Sequence, residues 1–128
     1  MKQFTLFVFA VFLSLSGIAQ QAEWKQMDEF HAVMSKTFHP AEEGNLNPTK
    51  NNAAILTSKA KAWESAPVPK GYDAAIAKPI LKKLVASCEA VEAAVKAKKS
   101  DKELTSLITK AHDDFHEIKE KCMVGEKH

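Results

Sequence analysis

Apolar residues recur along this chain at intervals of three and four in four separate stretches, a spacing that predicts four amphipathic helices. In the first, over about residues 22–38, the stripe runs through Trp24, Met27, His31, Met34 and Phe38, widened by Phe30 and Val33. The His39-Pro40 pair is expected to end it, because proline disfavours helix in the residue before it. A second helix is expected over about residues 48–64, with Asn47 as its cap, Pro48 in its first turn, and Ala53, Leu56, Ala60 and Trp63 facing inward. Two prolines stiffen the connection at residues 66–71. The third stretch covers about residues 73–98 on Ala77, Leu81, Leu84, Cys88, Val91 and Val95, and Pro79 either kinks it or marks its first turn. The fourth opens on Ser100 and Glu103 at capping-box spacing and carries Leu104, Ile108, Ala111, Phe115, Ile118 and Cys122. Four such helices with short connections predict an all-α domain, an up-down-up-down four-helix bundle.

The first twenty residues follow a different pattern. Lys2 precedes a twelve-residue apolar run over residues 4–15, and Gly17 and Ala19 place small residues before a cut. A bilayer span needs ~20 apolar residues, so the run is too short for an anchor. The expectation is a secretory signal over residues 1–20 and a bundle domain over 21–128, periplasmic or secreted, with no membrane anchor left after cleavage. No cysteine lies beside the cut to take a lipid. Of 128 residues, 45% are hydrophobic and 27% charged, with only four glycines, which suits one helical domain. Eighteen basic residues against sixteen acidic give a net charge of +2, so nothing calls for a nucleic acid or an anionic surface as partner.

The histidines carry the chemical signal. His31 and His39 lie at or near the first helix, and His112 and His116 lie in the fourth, while His128 is terminal. Spaced i, i+4, His112 and His116 project from one face and can hold one metal ion. First and fourth helices are antiparallel neighbours in such a bundle, and pairing positions that sum to about 143 sets His31 opposite His112 and Met27 opposite His116. His31 occupies a seam position, where an unpaired imidazole is costly. The expected metal set is therefore His31, His112 and His116, for zinc, copper or nickel. Further ligands are available in Met27, Met34, Cys88 and Asp113. His39 with Glu42 and Glu43 forms either a separate, weaker site or a helix end favoured by the dipole, since it lies ~12 Å along the helix from His31. The alternative for the pair itself is two solvated histidines on a charged face.

Two cysteines in an exported chain suggest a disulfide, but the predicted helices offset Cys88 and Cys122 by ~15 Å, and a disulfide needs α-carbons within ~7 Å. Cys122, near a chain end, can instead pair between copies in a homodimer. In size, export signal and bundle pattern the chain resembles the exported four-helix cytochromes, c-prime and soluble b-type. The c-prime haem motif C-x-x-C-H is missing after Cys122, so any haem is non-covalent. The b-type resemblance implies a methionine early in the first helix and a histidine late in the fourth as haem ligands, which Met27 and His116 match. No catalytic constellation is present. A di-iron bundle needs Glu-x-x-His on two helices, and Thr109, Asp113 and Asp28 stand three before His112, His116 and His31. Three readings remain: a metal-binding bundle for sensing, storage or handling, a haem-binding electron-transfer bundle, and a metal-free interaction module.

Overall fold

Each apolar stripe builds a helix. In the computed structural model, which describes residues 23–122, these are α1 (Lys25–Glu42), α2 (Asn47–Ser65), α3 (Ala74–Lys96) and α4 (Asp101–Lys121). The expected signal at residues 1–20 and His128 lie outside the described residues. Each helix packs on its neighbour in sequence, and α1 closes the ring against α4 through the sparsest of these seams. The architecture is the all-α four-helix bundle. None of the described helices is long and apolar enough to cross a membrane.

The ends of the helices follow capping chemistry. Ser100 Oγ accepts the Glu103 N–H at 3.2 Å, and Asp73 Oδ1 accepts the Ala75 N–H at 3.0 Å. Pro79 lies inside α3, past its first turn. His39-Pro40 does not end α1, which runs on to Glu42. Proline here removes one hydrogen bond in the last turn, where little of the ladder remains to be lost. The stop is Gly44, at φ +90°, where the Asn45 N–H reaches the Pro40 carbonyl (2.9 Å) and the Gly44 N–H reaches that of Ala41 (3.0 Å). Lys98 closes α3 in the same way at φ +56°, without a glycine.

The core centres on Trp24, Phe30, Trp63 and Phe115, each at most 2% exposed. Their ring centroids lie 5.5–6.0 Å apart along the chain of contacts from Trp24 through Trp63 to Phe30 and Phe115. Phe30, not His31, takes the inward position on α1. The buried arc there comprises Met27, Phe30, Val33, Met34, Thr37, Phe38 and Ala41, which centres it on the side of Met34 away from His31. Cys88 and Cys122 are both buried and unpaired, and Cys122 is tied down rather than frayed, its carbonyl accepting the Asp73 N–H at 2.7 Å.

Candidate metal centre

His112 and His116 stand one turn apart on α4, and their Nε2 atoms are 3.2 Å apart. Metal–nitrogen bonds of ~2.0–2.1 Å would place one ion between them at an N–metal–N angle of about 100°, suited to two adjacent ligands of a tetrahedral or square site. Carboxylates stand on the other side of each ring. Asp113 Oδ1 is 4.0 Å from His112 Nδ1, and Glu120 Oε2 is 4.0 Å from His116 Nδ1. These separations are too long for hydrogen bonds, whereas the two Nε2 atoms are within hydrogen-bond distance of each other, with one ring donating and the other accepting.

Aromatic rings hold the pair in place. The His112 ring lies flat on Phe38, with centroids 3.8 Å apart and planes 11° from parallel. Phe115 meets His116 edge-on at 5.4 Å. Partial burial lowers the His112 pKa from its ordinary value, and the His116 and His39 imidazoles push the same way while Asp113 and Glu42 oppose them. The shift favours the neutral imidazole, the form that a metal site would need.

His31, the third expected ligand, forms no three-residue metal group with this pair among the described residues. His31 is exposed and stacks on Phe115 at 5.2 Å, and Phe38, seven residues further on, occupies the place against His112. The pairing of positions summing to 143 therefore gives way to a shifted one, because α1 docks through Phe30 and Phe38. That shift, together with the extra turn of α1, brings His39 and Glu42 within electrostatic reach of His112. His39 Nδ1 lies 3.5 Å from Glu42 Oε1, and both side chains are exposed. Met27 and Met34 are core residues, and so is Cys88, whose thiol is pushed up to about 12 by burial. Asp113 stays at the surface beside His112. Among the described residues no three histidine, cysteine or carboxylate side chains converge on one metal position.

The two residues that the haem expectation names lie in different settings. Met27 points into a core filled by Trp24, Phe30, Trp63 and Phe115, whereas the His116 side chain is 43% exposed on the outer flank.

A second polar feature on α4 had no counterpart in the sequence reading. Asp114 is buried at the seam with α3, where its Oδ2 accepts from the Ser87 hydroxyl and from Lys110 Nζ (3.3 Å). Lys83 Nζ lies 4.0 Å from its other oxygen and donates to Glu117 at 3.0 Å. Asp114 follows the seam residue Ala111 by three and precedes Ile118 by four, and that phase was the available signal.

No protein-family model, curated protein or solved structure matches the chain.

Proposed function

We propose that this protein is an exported four-helix bundle that binds a divalent transition metal, zinc, copper or nickel, at His112 and His116, in metal sensing, storage or handling. The apolar run at residues 4–15 supports export. One observation carries the metal reading: two Nε2 atoms 3.2 Å apart, each on a ring with a carboxylate near its Nδ1. Two imidazoles alone make an exchangeable site, which suits delivery or sensing better than a permanent structural ion. The open positions would be taken by water, by a nearby carboxylate, or by a donor from the protein that delivers or receives the ion.

Calorimetric titration of Zn(II), Cu(II) and Ni(II) into the untagged protein tests this. One ion per chain should bind at least one of the three metals at micromolar concentrations or below, and His112→Ala or His116→Ala should abolish the event. Absence of binding for all three, or binding unchanged in both variants, overturns the reading.

A further inference from the structure

The seam between α3 and α4 holds a feature that the metal reading does not use. A half-open groove of about 290 Å³ runs along it, lined by Lys83, Ala86, Ser87 and Ala90 of α3 and by Leu107 and Lys110 of α4. Its two ends differ. Lys110 Nζ lies 3.3 Å from Asp114 Oδ2 and Lys83 Nζ 4.0 Å from Oδ1, so one carboxylate holds both ammoniums at the same end. Ala90 lies seven residues beyond Lys83, ~10 Å further along the helix, and Leu107 lies about one turn before Lys110. Leu107 packs on the core, and the alanines leave the space that longer side chains would fill.

The charges in the wall are of one sign. Asp114 and Glu117, which hold the lysines, line a different groove together with Asp113, His116 and Glu120. An ammonium carries three N–H donors. Lys110 gives two, to Asp114 and to the Ser87 hydroxyl oxygen, each at 3.3 Å, and Lys83 gives one, to Glu117 at 3.0 Å. Both lysines therefore keep donors for an acceptor in the groove.

We propose that this groove binds a medium-chain monocarboxylate, its head at the Lys83 and Lys110 ammoniums and its tail along Ala86, Ala90 and Leu107. Asp114 takes no part in the contact; it fixes the two cations that do. At ~30 Å³ for each water-sized group, the groove takes on the order of ten non-hydrogen atoms, the size of octanoate. A protein partner fits less well. The exposed large apolar side chains among the described residues are Ile55 and Ile76, and neither lines the groove, so it lacks the large anchors on which protein interfaces centre.

Titration of octanoate into the mature protein, with alanine and leucine methyl groups followed by magnetic resonance, tests this. The signals of Ala86, Ala90 and Leu107 should shift together and saturate at one octanoate per chain below millimolar concentration, with or without a metal chelator. Octan-1-ol, with the same tail and no charge, should bind ~10-fold more weakly, and acetate, with no tail, should not saturate in that range. Lys83→Met and Lys110→Met keep the apolar stems and should each weaken octanoate binding ~3–10-fold. Ala90→Leu, which fills the groove, should abolish the shifts. Equal binding of octanoate and octan-1-ol, or an unchanged affinity in both lysine variants, overturns the carboxylate assignment. Shifts centred on other residues, or none at millimolar octanoate, overturn the groove as a binding site.

Discussion

Helix α4 carries polar groups on two sides, and the two are completed differently. Toward α3, Asp114 is buried with its partners in place: the Ser87 hydroxyl, the Lys110 ammonium, and Lys83 a little further off. Toward α1, His112 and His116 face each other with ligating atoms that have only one another. A satisfied buried carboxylate fixes the register of two helices and offers nothing to a ligand. A pair of imidazoles one helical turn apart is instead the arrangement that the proposed metal site requires. On the proposed metal reading, one helix separates a structural polar site from a chemical one, with the hydrophobic seam between them.

The largest expected difference between the two sides appears on adding metal. At a free concentration 100 times the dissociation constant, the ion should stabilise the wild type by ~2.7 kcal/mol, raising its melting temperature, and should leave His112→Ala unmoved. An equal rise in both proteins would dissolve the distinction. Next is Asp114→Ala, which takes away the acceptor of the buried Ser87 hydroxyl and leaves Ser87 and Lys110 with only their 3.3 Å contact to each other. It should cost ~1–3 kcal/mol in denaturant unfolding and leave metal affinity within a factor of two or so of wild type. A substitution without cost would show that the α3 side is as loosely built as the α1 side.

Smaller is the metal-free cost of His112→Ala, where loss of the Phe38 stack should remove ~0.5–1.5 kcal/mol in the same assay. Smallest is the response to pH. The folded protein holds His112 below its unfolded pKa of about 6.5, so the unfolded chain binds the proton first as pH falls. Stability should therefore be full above that value, decline as pH drops through it, and level off once His112 is protonated in the folded state too. Metal-free melting of wild type against His112→Ala checks this, since the variant should lack that part of the decline.

Much of the fold was legible because heptad-like spacing reports which face of a helix is buried, and α2, α3 and α4 follow it closely. On α1 the pattern contained two overlapping stripes, one through His31 and one through Phe30, and spacing alone does not rank them. Burial does: the larger apolar ring goes inside and the imidazole lies over Phe115 at the rim. The end of α1 was misplaced because proline is a strong local signal, whereas Gly44 acts through a left-handed turn that needs the next residues to complete it. Those two shifts bring His39 and Glu42 within electrostatic reach of His112. The i, i+4 pair on α4 was readable because it depends only on helical repeat. Asp114 escaped notice because its partners, Ser87 and Lys83, lie on another helix, and a single sequence shows no such pairing.

Heteronuclear magnetic resonance of the histidine side chains during Cu(II) addition tests the central claim most directly. At substoichiometric metal, the ring signals of His112 and His116 should broaden first and together. Broadening that begins at His31 or His128, or spreads evenly over all five histidines, would contradict a site built on the α4 pair.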